Sequence, residues 1–181
     1  MALKDILYNL PEVKKPVEKK LSFNVKLKWT VIVLLAFFIL ANVKLYGVSV
    51  GFLERFEFLE VILGTDFGSV ISLGIGPIVM SSIILQLLVG SGILNLDTKT
   101  EEGKRYFQGI QKLGVLFFIL FESIIYVLMG GIEATPGFTG IVIFQLILGG
   151  IAIMFMDEVI SKWGFGSGVS LFIAAGVSGQ V

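Results

Sequence analysis

Uncharged runs divide this chain into five apolar segments, at positions 29–43, 67–96, 113–132, 134–156 and 163–181, with Glu122 the one charge inside the third. About 20 apolar residues, each rising 1.5 Å along a helix, cross the hydrocarbon core of a bilayer. The first run holds 15 residues between Lys28 and Lys44. It is therefore expected to continue through Lys44, whose amine can snorkel, towards Val50. The second run holds 30 residues, too many for one simple span, and is broken near its start by Gly74, Ile75, Gly76 and Pro77. Lipid offers no hydrogen bonds to freed amides and carbonyls, so backbone that leaves the helix at membrane depth has to be buried in protein or line a wet cavity. The break points to a channel or a transport site.

Two amphipathic stretches lie outside this count. Leu3, Ile6, Leu7 and Leu10 fall at helical spacing with Lys4, Asp5 and Asn9 opposite, and Pro11 ends the pattern. A short helix in the cytoplasmic interface is expected there, with a disordered tail as the alternative. Between positions 51 and 63, Phe52, Phe56, Leu59 and Leu63 share one helical face while Glu54, Glu57 and Glu60 project elsewhere. That stretch is too short and too charged to span. An ordinary interfacial helix and a re-entrant element that caps a cavity both fit it.

Basic residues set the expected orientation. Seven lysines precede position 29, and Lys99, Lys104, Arg105 and Lys112 occupy the 97–112 connection, so both regions should be cytoplasmic. The 44–66 region carries two basic residues against four carboxylates, and 133–139 carries no basic residue. The alternation fits five crossings with the N-terminus inside. The expected organisation is a tail with its interfacial helix at 1–28, spans at 29–50, 67–96, 113–132, 133–156 and 163–181, an external segment at 51–66, a cytoplasmic loop at 97–112 and a cytoplasmic turn at 157–162. Because 28 residues precede the first span and no small-residue cleavage pattern follows it, that span does not read as a cleavable signal peptide.

Composition narrows the chemistry. Apolar residues make up 55% of the 181 positions, charged residues 15%, and the mean hydropathy is +0.93, outside the range of soluble globular domains. Cysteine and histidine are both absent. Their absence removes thiol nucleophiles, imidazole bases, disulfides and the usual zinc ligands, so no metal or cofactor is expected and an intramembrane hydrolase lacks its base. The glycine-rich pieces lack the spacing of nucleotide loops, and no direct nucleotide partner is expected.

Ile75, Val79, Ser82 and Gln86 fall within about 60° of one another on an ideal helix. Interhelical hydrogen bonding accounts for Gln86 and core packing for Ile75 and Val79. Val169 and Ile173 are one turn apart, after the glycine-rich run 164–168 that marks a close turn and a helix start. Glu122 lies about 15 Å into the membrane from Lys112, where a carboxylate is costly unless paired or wet. It should face the protein interior; a proton relay is the sharper reading. Asp157 and Glu158 read as a solvated helix end.

The runs 72–88 (SLGIGPIVMSSIILQLL) and 156–172 (MDEVISKWGFGSGVSLF) resemble the two signature regions of SecY, the channel subunit of the Sec protein-translocation complex. The run 107–113 (FQGIQKL), leading into the third span, is similar to the archaeal type, and the resemblance covers the chain from its N-terminal helix to Val181. It implies an all-α polytopic membrane protein: the N-terminal five-helix half of a ten-helix channel, with an interfacial N-terminal helix and a short re-entrant plug helix. It implies that Ile75, Val79, Val169 and Ile173 form an apolar pore constriction, that Phe52, Leu53, Phe56, Leu59 and Leu63 belong to the plug, and that Ser82 and Gln86 lie at a lateral gate. Gly64, Gly68, Gly74, Gly76 and Pro77 are the implied hinge positions.

The implied partners are SecE/gamma-type and beta-type small subunits, the C-terminal half of SecY, a ribosome, a translocating polypeptide with its signal sequence, and membrane lipid. The implied location is the plasma membrane, multi-pass. Because the chain stops at Val181 within the fifth apolar segment, it is expected to supply half a pore wall and not to conduct proteins by itself. The alternative function is half of an ion-coupled secondary transporter, with the broken helix and Glu122 forming a midplane substrate and ion site.

Overall fold

The computed structural model describes residues 2–18, 20–49 and 69–178. The expected plug residues Phe52, Leu53, Phe56, Leu59 and Leu63, and the hinge glycines Gly64 and Gly68, lie outside the described residues. Among the described residues six helices follow in order: α1 (Ala2–Tyr8), α2 (Phe23–Asn42), α3 (Gly76–Gly90), α4 (Glu101–Leu128), α5 (Thr139–Trp163) and α6 (Gly168–Ser178). Among the described residues, α2, α4 and α5 are long and apolar enough to cross a membrane, while α3 and α6 are shorter apolar helices.

The first long helix differs from the expectation at both ends. It begins at Phe23, six residues before the uncharged run, and stops at Asn42. Its 20 residues span about 30 Å. The missing length therefore comes from the N-terminal side, and Lys44 lies beyond the helix. Residues 43–49 instead form two bridges, Lys44 with Ser69 and Val48 with Ala134, on either side of a turn at 46–47: Val70 N–H donates to Val43 O at 3.0 Å, Ser49 N–H to Glu133 O at 2.9 Å and Thr135 N–H to Gly47 O at 2.7 Å. The chain after α2 is thus pinned both to the lead-in of α3 and to the connection between α4 and α5.

Helix α4 starts well before its apolar run because its N-terminus is built for it. Thr100 accepts from Gly103 N–H at 3.1 Å, and Glu101 and Glu102 lie in the first turn, where carboxylates oppose the positive end of the helix dipole. Helix α5 continues to Trp163, so the turn expected at 157–162 is helical. Helix α4 packs between α3 and α5, and α5 packs in turn on α2 and α6. Ile119, Val142, Leu146, Ile153 and Ile160 form the most deeply buried part of the core.

Small residues permit the close crossings, as is usual where membrane helices associate. A Cβ added at Gly150 would fall 2.9 Å from Ile119, and one at Gly114 would fall 2.4 Å from Ser81 Oγ. The short α1 lies on α4: Leu7 is buried over Gly109, and Arg105 stands 4.5 Å from the centre of the Tyr8 ring. Leu3 and Ile6, on the remainder of the apolar face, stay exposed.

Candidate functional site

The break ahead of α3 is a series of tight turns. Ser72 N–H donates to Ser69 O at 3.1 Å, Gly74 N–H to Ile71 O at 2.7 Å and Gly76 N–H to Leu73 O at 3.3 Å. Gly74 adopts φ +54°, a conformation open to glycine at no steric cost. Pro77 follows in the first turn of α3, where its missing N–H costs nothing. Ser69, Ile71, Ser72 and Leu73 are buried, so this irregular backbone is covered by protein. Gly149 on α5 makes the cover possible, because a Cβ there would fall 1.7 Å from Val70 O.

From this buried base the candidate stripe emerges. Ile75 is half-buried and rests against the core, Val79 is half-buried one turn on, and Gln86 is exposed. Ser82 is already engaged: its hydroxyl donates to Ile78 O at 2.8 Å and accepts from Gln111 Nε2 on α4 at 2.7 Å. The neighbouring Ser81 donates to Gln111 O at 2.9 Å. These bonds join α3 to α4 inside this half. On α6, Val169 rests against the core while Ile173 is 53% exposed. Glu122 stands beside the break, its Oε2 lying 3.2 Å from where a Cβ on Gly76 would be. Among the described residues, no three acidic side chains cluster so as to hold a metal ion.

A family model for SecY matches residues 69–181, which contain the break, the stripe and both signature runs. The chain belongs to the SecY family. Protein translocase subunit SecY of Methanothermobacter thermautotrophicus is 52% identical over 173 residues, covering 95% of this chain and 38% of that protein. A solved structure in which the plug domain of SecY stabilises the closed state of the translocation channel and maintains a membrane seal superposes with a TM-score of 0.85 at 43% identity, covering 98% of this chain and 40% of that one. Sec61 in the canine ribosome-channel complex from the endoplasmic reticulum gives a TM-score of 0.83 at 42% identity, covering 97% and 41%. The chain thus spans about two-fifths of the length of these relatives and is the N-terminal part of a SecY-type multi-pass membrane fold.

In this SecY half, a second cluster went unread in the sequence. Asp157 and Glu158 form a junction of α5 with three other parts of the chain instead of a solvated end. Glu158 pairs with Lys112 on α4, accepts from Val13 N–H at 2.9 Å and lies 3.9 Å from Lys162. Lys162 donates to Val13 O at 2.6 Å and approaches Glu12 to 3.5 Å, and Trp163 Nε1–H donates to Lys14 O at 2.8 Å. Asp157 Oδ1 accepts from Val169 N–H of α6 at 3.1 Å. Lys112, Asp157, Glu158 and Lys162 were visible in the sequence as charges flanking apolar runs. Only the fold brings position 13 to position 158. The cluster borders a cavity of about 610 Å³ between α1, α4 and α5.

Proposed function

We propose that this chain supplies the first half of a passive protein-conducting channel, which passes secretory polypeptides across the membrane and releases apolar segments into lipid through a lateral gate. The observation that carries the reading is a protein-covered break beside which branched aliphatic side chains keep one side open: Ile75 and Val79 half-buried on α3, and Ile173 exposed on α6. Such side chains can form a ring that widens around a passing chain, while a narrow apolar constriction hinders water and ions by dewetting. Val169 completes the set on this half. Gln86, exposed on the same face of α3, is the better candidate to bond across the gate, since Ser82 already serves Gln111.

The 51–66 segment is the proposed plug, with Gly64, Gly68 and the 74–77 break as its hinges. The chain acts as a conduit and not as an enzyme, with transport driven by a ribosome or another bound partner. Its neighbours are SecE/gamma-type and beta-type subunits and a C-terminal half of SecY. The N-terminus and the 97–112 region, which includes the first turns of α4, face the cytoplasm of a plasma membrane, in keeping with their basic residues.

Photocrosslinking probes at 75, 79 and 173, in membranes containing the complementary half and a stalled secretory chain, test the reading. Adducts from all three, and none from the buried Ile71 and Phe172, are expected. An absence of adducts, together with Glu122-dependent uptake of a small solute, would move the assignment to the ion-coupled transporter.

A further inference from the structure

Where α6 begins is settled only in part by its own connection, which is tied to α2 where Phe165 N–H donates to Thr30 Oγ1 at 3.1 Å. Residues 164–167 contain Gly164 in an extended conformation and Gly166 at φ +66°, and glycine leaves a connection many alternative paths. Yet the lead of α6 decides which side chains face which way. A slip of one residue turns a helix by about 100° and moves it 1.5 Å, carrying Val169 and Ile173 off their common face and bringing Ser170 and Ala174 towards it.

Two contacts hold that start against α5. Val169 N–H, one of the first-turn donors that a helix cannot satisfy internally, donates to Asp157 Oδ1 at 3.1 Å, from 12 residues upstream. The carboxylate also meets the positive end of the α6 dipole. Gly168 is buried against the same side chain, and a Cβ there would fall 2.4 Å from Asp157 Oδ1 and 2.7 Å from Asp157 Cα. The cap therefore works at this spacing only with glycine at 168. Asp157 is itself carried on a fixed platform, since the adjacent Glu158 is bonded to Lys112 and to Val13.

We propose that Asp157 is a positioning residue: by capping α6 from the preceding helix, against Gly168, it sets the register at which Val169 and Ile173 are presented to a translocating chain. The part concerning the translocating chain rests on the channel reading above. Asp157 itself touches no passenger.

The chain contains no cysteine, so single cysteines at 172, 173, 174 and 175, in a channel whose remaining part is also made cysteine-free, can report register through maleimide labelling, alongside amide hydrogen exchange over 168–172. Asp157→Ala is expected to speed exchange of the Val169 amide roughly tenfold or more, as for loss of a bond to a charged acceptor. It should also erase the difference in labelling between the exposed 173 and 174 and the buried 172 and 175. Asp157→Asn keeps an acceptor oxygen and should hold exchange within about threefold of the parent and preserve the labelling pattern. Gly168→Ala, with Asp157 intact, should reproduce the labelling change. The proposal is overturned if Asp157→Ala leaves both readouts at parental values, or if Asp157→Asn falls as far as alanine. Neither readout needs a passenger. If the parent shows the expected labelling but a probe at 173 never reaches a stalled chain, the channel reading fails and the register role stands.

Discussion

Replacing Gly149 by alanine probes the contact on which the broken lead-in rests. The added methyl group would fall 1.7 Å from Val70 O, 2.7 Å from Val70 C and 3.0 Å from Val70 Cγ1, so the nearest obstacle is backbone and cannot swing aside. Either the 69–75 turns or α5 must move. In a helix the substitution by itself gains about 0.5–1 kcal/mol from reduced backbone freedom. Overpacking typically costs about 1–3 kcal/mol, and the upper end applies where backbone is displaced. The net expectation is a loss of about 2 kcal/mol, roughly thirtyfold in the folding equilibrium. Gly140→Ala is the control in the same helix, because nothing lies within 4 Å of a Cβ there. Equilibrium unfolding in detergent can be followed by tryptophan fluorescence, since the chain has two tryptophans, Trp29 and Trp163, and their rings pack 5.6 Å apart between α2 and α5. If Gly149→Ala proves as stable as Gly140→Ala, the claim that α5 covers the break by close backbone approach is wrong.

The junction around Glu158 gives an asymmetric expectation. Glu158→Ala should cost roughly 3 kcal/mol or more, because Lys112 is only 10% exposed and loses its ion-pair partner. Lys112→Ala should cost clearly less, since Glu158 keeps Val13 N–H at 2.9 Å and Lys162 at 3.9 Å; equal losses in the same unfolding assay would contradict the geometry. Between α3 and α4, Ser82→Ala should cost only about 0.6 kcal/mol, the usual value of a hydrogen bond between membrane helices. A double-mutant cycle with Gln111→Ala should return a coupling of that size, and a zero coupling would remove the Ser82–Gln111 bond from the account.

Charge spacing made the apolar helices and the break ahead of α3 visible in the sequence, because lipid punishes charges and unpaired backbone so severely that few arrangements are open to uncharged runs of 20 or more residues. The glycines and proline at 74–77 announced the departure from helix for the same reason. The limits of α2 were harder to read. Polar residues from Asn24 to Lys28 look like tail, yet they form the first turns of the helix, while the apolar stretch past Val43 pairs with loops that come from residues 69 and 133–135.

The junction residues show where reading along the chain stops. Glu158 and Lys162 are spaced as a local i,i+4 pair, but Lys112, Asp157, Glu158 and Lys162 otherwise show only that they flank apolar runs, and their other partners lie 12 to 150 residues away. Whether a charge at a helix end is solvated or clamped depends on which other ends the packing brings beside it. Ser82 illustrates the same point at shorter range: its place on the Ile75 face followed from a period of 3.6, but its use by Gln111 followed from how closely Ser81 and Gly114 let α3 approach α4. Residue order alone determined where the apolar segments lie and where one of them breaks, since those depend on transfer energies that each side chain carries with it. Which polar groups are satisfied, and by whom, was decided only in three dimensions, because a hydrogen bond needs two partners within about 3 Å and sequence separation places no limit on which two meet.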